Sequence, residues 1–287
     1  MERLPAWLRN QRELSSLRDV RLRLRKGRLS TVCEEARCPN ISECFSRNEA
    51  TFLILGDVCT RNCTFCSVTG GNPGPPDPDE PVLLAEAANE LGLKHVVITS
   101  VTRDDLPDSG AGHFAACIRE INKRLPGISV EVLTPDFSGR IDFLDIVLEA
   151  KPDVFGHNLE TVRSLYEMVR PEADLERSLS VLDAAVRHGG SLVKTGFMVG
   201  LGESEQEIKD LILSIKEAGV DILTIGQYMR PTRKQESVSK YWEPEAFEAW
   251  AELAKGIGIR YVIASPFVRS SYRAGSILDE IRGYNRR

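Results

Sequence analysis

Six of the seven cysteines in this 287-residue chain fall into two tight triplets. Cys33, Cys38 and Cys44 are spaced C-x4-C-x5-C, and Cys59, Cys63 and Cys66 are spaced C-x3-C-x2-C. Thiolates are the ligands that iron–sulfur clusters take, and a [4Fe–4S] cube held by three cysteines keeps one iron open. An open iron can coordinate a substrate or cofactor, so the pattern suits chemistry as well as electron transfer. Two triplets imply two such clusters, each with a corner that something other than cysteine must fill.

Other uses of cysteine fit less well. The odd count leaves a thiol over from any disulfide framework, the chain is long, and residues 1–29 lack the apolar stretch of a secretory signal. Structural zinc takes four ligands, usually as paired C-x2-C knuckles or Cys/His sets. Neither triplet has a fourth Cys or His close by; the nearest histidines are His95 and His113. The second spacing is the distinctive one, whereas C-x4-C-x5-C taken alone leaves other metals open. Cys117 sits in the apolar stretch His113-Phe-Ala-Ala-Cys117-Ile and reads as a small core residue.

The elements that must position these thiols follow from patterning. With 42% hydrophobic and 28% charged residues, the composition is that of an ordinary globular protein. No stretch reaches the ~20 apolar residues of a membrane span. Apolar, β-rich runs occur at 51–55, 95–99, 129–133, 154–157, 192–199, 222–228 and 261–264. Helical patterns lie at 81–91, 113–125, 141–150, 174–188, 203–218 and 244–255. Continuous apolar strands alternating with helices indicate a parallel sheet covered by helices. The fold expected is α/β: a full or partial (β/α) barrel of about six core parallel strands with N- and C-terminal extensions. The divisions expected are 1–49, 50–264 and 265–287.

In such barrels chemistry sits at the C-terminal ends of the strands. The second triplet directly follows the run 51–55, and the polar runs 99–105, 157–160, 200–203 and 227–230 also follow strands, so these loops should converge. Several of their residues have ordinary readings. Glu203 could complement a helix N-terminus, Asp104 and Asp105 could cap or face solvent, and His188 could be a helix-end cation. The pair Gly200-x-Gly202 is a weak nucleotide signal without the full fingerprint.

The run Cys59-Thr-Arg-Asn-Cys63-Thr-Phe65-Cys66 resembles the signature of radical S-adenosylmethionine enzymes. That resemblance implies a [4Fe–4S] cluster whose open iron is chelated by S-adenosylmethionine, with Phe65 packed near the cofactor. With the upstream triplet added, the chain resembles the lipoyl synthase family. Supporting stretches are Thr99-Ser-Val-Thr-Arg103-Asp-Asp-Leu106, His157-Asn-Leu-Glu-Thr-Val162, Met198-Val-Gly-Leu-Gly-Glu203 and Arg269-Ser270-Ser271-Tyr272. Departures are Val58, Thr134, Ser109 and the segment before Ser265-Pro266; none touches a cysteine. The family resemblance implies insertion of two sulfur atoms, at C6 and C8, into an octanoyl chain amide-linked to a carrier lysine. It also implies a second [4Fe–4S] cluster on the first triplet, consumed as sulfur donor and completed by Ser271, with Ser270 its neighbour. Asn158 and Glu160 would contact S-adenosylmethionine or serve as a structural pair with an Arg.

The partners so implied are octanoylated lipoyl domains of 2-oxoacid dehydrogenases or the glycine-cleavage H protein, and an electron donor such as ferredoxin or flavodoxin. A monomer in the cytoplasm is expected, without membrane or nucleic acid, since the chain's net charge is −5. Residues 1–29 run against that balance at +6. Arg21, Arg23, Arg25 and Arg28 there could seat an acidic carrier or pair with the enzyme's own acids. The rival readings are a radical sulfur inserter acting on a free small molecule, a two-cluster electron carrier, and a zinc-stabilised module.

Overall fold

The computed structural model describes residues 5–8, 29–46 and 49–284. Its strands in chain order are β1 (Ser30–Thr31), β2 (Thr51–Ile54), β3 (Val58–Cys59), β4 (Thr69–Gly70), β5 (His95–Ser100), β6 (Ser129–Leu133), β7 (Val154–Gly156), β8 (Leu192–Val199), β9 (Ile222–Gln227) and β10 (Tyr261–Ala264). Eight of them form one sheet ordered β1-β2-β5-β6-β7-β8-β9-β10, while β3 and β4 pair separately. Every pairing from β2 to β10 is parallel, and only β1 joins antiparallel. Among the described residues β1 and β10 do not pair, so the barrel is partial, with seven parallel strands rather than about six.

Alternation along the strands separates two environments. In β5, Val96 and Ile98 are fully buried beneath the helices, whereas His95 and Val97 line the interior cavity. The covering helices are α1 (Val32–Glu35), α2 (Ile41–Ser46), α3 (Glu80–Glu90), α4 (Ala111–Arg124), α5 (Ile141–Leu148), α6 (Tyr166–Val169), α7 (Leu175–His188), α8 (Glu205–Glu217), α9 (Pro244–Gly256) and α10 (Ala274–Tyr284). In α7, Leu175, Ser178, Val181, Leu182 and Ala185 are buried at helical spacing, and the Asp174 side chain caps the Arg177 N–H. Gly189, at φ 73°, ends that helix. His188 lies exposed at its end, as the helix-end reading has it.

Among the boundaries that differ from the sequence reading, two have clear local reasons. The helix expected from 203 starts at Glu205, because Ser204 and Glu207 form a reciprocal capping box. Strand β2 stops at Ile54 because Leu55 turns to φ 67°. Its N–H donates to Glu80 Oε2 at 2.9 Å and its carbonyl accepts from Arg103 Nη1 at 3.1 Å. Gly110 must be glycine beside this turn, since a Cβ there would sit 2.4 Å from Leu55 Cδ1. The turn swings the chain out of the sheet and into the second cysteine loop. At the opposite end, α10 plugs the barrel, packing Leu278 and Ile281 on Val154 and Ile222.

Candidate functional site

A cavity of about 500 Å³ runs through the barrel interior, lined from the strand starts at Thr51 and His95 to the loops after β7 and β9 at Asn158, Glu160 and Tyr228. Its lining brings together Cys33, Cys38, Cys44, Cys66, Ser270 and Ser271, with Phe65, Asn158 and Glu160 also on its wall. Residues from the chain's first fifty, its middle and its C-terminal segment therefore face one space.

The first triplet is shaped by short helices. The Thr31 side chain caps α1, which carries Cys33. The Cys38 N–H then bonds the Cys33 carbonyl at 3.0 Å, and the Cys44 N–H bonds the Asn40 carbonyl at 3.0 Å. Burial pushes the Cys33 thiol up to about 12, with Cys38 adding to the shift. Cys44 is raised by burial and by both neighbouring thiols.

The second triplet sits on a braced loop. Cys59 Sγ accepts the N–H groups of Arg61 at 3.4 Å and Thr102 at 3.3 Å. The Cys66 N–H bonds the Cys63 carbonyl at 3.1 Å, and Gln235 Nε2 holds the Cys66 carbonyl at 3.1 Å. Burial raises Cys66 to about 12. It raises Cys63 as well, with the Arg170 guanidinium pulling the other way. Burial thus favours the protonated thiols of Cys63 and Cys66; cationic iron would release those protons and take the thiolates. Among the described residues no three His, Cys, Asp or Glu side chains converge on a single-ion site. Each triplet supplies three thiols, and a cube takes three thiolates, each on its own iron, whereas structural zinc takes four ligands. The donor set fits clusters.

Arg61, inside the second motif, is 7% exposed and grips Asp104 with Nε at 2.7 Å and Nη2 at 2.9 Å. Its Nη2 also reaches the fully buried Asp136 at 2.8 Å, which accepts Arg177 Nε from α7 at 2.8 Å. These guanidiniums hold the Asp136 carboxyl far below its ordinary range despite burial, which acts the other way. Asp104 is thus a loop brace rather than a cap, and Asp105 pairs with Arg103. Arg61 and Asp104 lie in motifs visible in the sequence, but their pairing needs the fold, and Asp136 carried no sequence signal.

Phe65 packs with the buried Val169, Leu201 and Tyr228 and still faces the cavity. Asn158 Nδ2 donates to Glu160 Oε1 at 3.0 Å, while Asn158 Oδ1 is buried without a partner. Glu160, at φ 67°, is pushed up by burial against the opposing influence of Arg170, Asn158 and Arg269. Arg170, which sequence reading did not single out, is 8% exposed and donates Nη1 to the Asn158 and Leu159 carbonyls at 3.1 Å. Glu203 binds the Gly200, Leu201 and Gly202 N–H groups and accepts Trp242 Nε1 at 3.0 Å. It folds the Gly200-x-Gly202 turn rather than serving a helix dipole. Cys117 is fully buried in the core. Arg21, Arg23, Arg25 and Arg28 lie outside the described residues.

Comparison with known proteins adds the following. Residues 53–215 match the model of the radical SAM superfamily. A lipoyl synthase of Caldanaerobacter subterraneus subsp. tengcongensis is 49% identical, covering 98% of this chain and 99% of that protein. A lipoyl synthase of Nitratidesulfovibrio vulgaris is 50% identical over 97% of this chain and 94% of that protein. Among solved structures, Streptococcus suis SuiB bound to S-adenosylmethionine shares the fold at a TM-score of 0.58 and 15% identity, over 78% of this chain and 53% of that one.

Proposed function

The chain belongs to the lipoyl synthase family of radical S-adenosylmethionine enzymes, and from that premise we infer how its own residues divide the work. The enzyme inserts sulfur at C6 and C8 of an octanoyl chain borne on a carrier protein, using S-adenosylmethionine and a [4Fe–4S] cluster. When bound, that cluster and cofactor supply a carbon radical strong enough to take hydrogen from an unactivated C–H bond, which acid–base groups cannot do.

Cys59, Cys63 and Cys66 hold this cluster. Arg61, Asp104 and Asp136 fix the loop that would carry the cluster, and its Cys66 shares the cavity wall with Asn158 and Glu160. The orphan Asn158 Oδ1 and the Glu160 carboxyl are the polar contacts offered to S-adenosylmethionine, with Phe65 against its apolar side. Cys33, Cys38, Cys44 and Ser271 hold the second [4Fe–4S] cluster, which is spent as sulfur substrate. Serine oxygen is a harder donor than thiolate and a poorer match for an iron–sulfur site, which suits a ligand that must let go. The division into 1–49, 50–264 and 265–287 then has a chemical sense: both extensions serve the sacrificial cluster. The observation that carries this reading is that the first triplet, Cys66 of the second and Ser271 face one cavity.

The carriers are lipoyl domains of 2-oxoacid dehydrogenases or the glycine-cleavage H protein, and the electron donor is of the ferredoxin or flavodoxin kind. None of the described helices is long and apolar enough to cross a membrane; the cytoplasm and a monomeric state belong to the same proposal. Anaerobic reconstitution should load about eight irons per chain. Mass spectrometry of an octanoyl-lysine carrier peptide after incubation with S-adenosylmethionine and a reductant should then show two added sulfurs. Zinc in place of iron, or a peptide left unchanged by fully loaded protein, overturns the assignment.

A further inference from the structure

A serine oxygen competes poorly for iron, so Ser271 must be held in place by its surroundings if it is to close a cluster on Cys33, Cys38 and Cys44. The chain contains a direct link between the two segments. Tyr272, immediately after Ser271, donates its hydroxyl to the carboxylate of Glu43, immediately before Cys44, with Oη 2.9 and 3.1 Å from its two oxygens across 229 positions of sequence. A second tie lies one turn away. Asn40 is 1% exposed, and its Nδ2 donates to the Phe267 carbonyl at 2.7 Å across 227 positions. The Asn40 carbonyl in turn accepts the Cys44 N–H. Arg273, at φ 52°, turns the chain away from this contact into α10, and its Nη2 also reaches Glu43 at 3.0 Å.

We propose that Glu43 and Tyr272 form a clasp, anchored by Asn40, that seats the Ser271 oxygen at the fourth corner of the auxiliary cluster. They are positioning residues that act through Ser271, and the proposal rests on the cluster assignment made above. A link of one residue on each side of the two ligands leaves little freedom between Cys44 and Ser271. Holding a weak ligand near its metal removes the ordering cost that its bond could not offset. Partners that orient ligands in this way typically set metal affinity by 10–100-fold. The Arg273 arm differs in kind: its side chain and that of Glu43 are 47% and 31% exposed, so solvent weakens that ion pair. The tyrosine hydroxyl is the working arm.

The test follows iron release from the anaerobically loaded enzyme to a chelator. The auxiliary phase is the one missing from a C33A/C38A/C44A chain. S271A should speed that phase, and Y272F and E43Q should each speed it by about tenfold or more. R273Q should change it less than about twofold. The decisive comparison is the double variant Y272F/S271A, which should release iron no faster than S271A, because the clasp has nothing left to position. If Y272F accelerates release equally with and without Ser271, the contact only supports the fold and the proposal is overturned. If Y272F and E43Q match the parent while S271A is fast, the clasp alone fails. If S271A itself matches the parent, the serine assignment fails and takes the clasp with it.

Discussion

At the scale of single residues, the two triplets make opposite demands on their thiolates. On the proposed assignment, the site at Cys59, Cys63 and Cys66 must survive turnover, and the site at Cys33, Cys38 and Cys44 must come apart. Changing the former three to Ala should abolish reductive cleavage of S-adenosylmethionine, because no iron remains to bind it. Changing the latter three should leave 5′-deoxyadenosine formation measurable while sulfur insertion falls to background. Lipoyl product from this second variant would show that the sulfur comes from elsewhere. A different residue, His157, sets an acid limit. Burial, with Arg170 nearby, depresses its imidazole to about 4, while its Nδ1 meets the Thr134 carbonyl at 2.9 Å. Unfolded chain binds that proton below the ordinary value of 6.5 and folded chain does not until about 4. The neutral histidine's contribution is therefore whole above pH 6.5 and drains as pH falls toward 4. Asp136, with its depressed carboxyl, loses its contribution only at pH values below the ordinary 3.8. Denaturant midpoints for H157N at pH 7 and pH 5 should thus differ less than those of the parent; an unchanged difference would place the titration elsewhere. The cysteines stood out in the sequence because short, regular spacing is a local pattern, and the structure sets four of them on one cavity. The contact between Glu43 and Tyr272 did not stand out, because pairings across more than two hundred residues leave no local trace.

At the scale of elements, strands were read correctly wherever apolar runs were continuous, since strands buried on both faces carry that signature. The short pieces escaped for a matching reason: β1, β3 and β4 have two residues each and α6 has four, too few for any period to show. Helix α10 also went unread, though its Leu278 and Ile281 close the barrel floor. Boundaries were set by side chains reaching back, as with Ser204 and Glu207 at α8 and Glu80 at the end of β2. The loop after β2 shows what such reaching does for function. Asp136 ties Arg61 of the cysteine loop to Arg177 of α7, so the loop inherits the rigidity of a long helix. Removing one member of a buried ion pair costs about 3–5 kcal/mol, because the remaining charge loses its partner. D136A should lower the thermal midpoint and drop iron toward half of the parent's, with the surviving half on the first triplet. Full iron with unchanged S-adenosylmethionine cleavage would make Asp136 a packing residue only.

At the scale of the whole molecule, the barrel and its extensions depend on metal to different degrees. The barrel carries its own core, running from Phe52 and Ile54 through Ile98, Val132 and Phe155 to Leu223 and Ile225, all fully or nearly fully buried. The segment around the first triplet has far less of its own. It is joined to the sheet by two residues of β1; its helices hold four and six residues, well short of the ~12–15 that an isolated helix needs. What holds this segment is the Phe45 and Cys33 packing, the ties to Phe267 and Tyr272, and, on the proposed assignment, a cluster bonded to both extensions once loaded. Iron removal should therefore loosen the molecule unevenly. In chelated protein, backbone amides of residues 33–45 and 268–273 should exchange hydrogen faster by tenfold or more, since metal binding is folding free energy for the segment it cross-links. Amides of β5, β6, β8 and β9 should keep the parent's protection. Restoring iron and sulfide should slow both extensions together, because one cluster spans them, and S271A should uncouple them by slowing only residues 33–45. Uniform loosening of the whole barrel, or extensions that ignore iron, would mean that the cluster is a passenger on a segment the protein already holds.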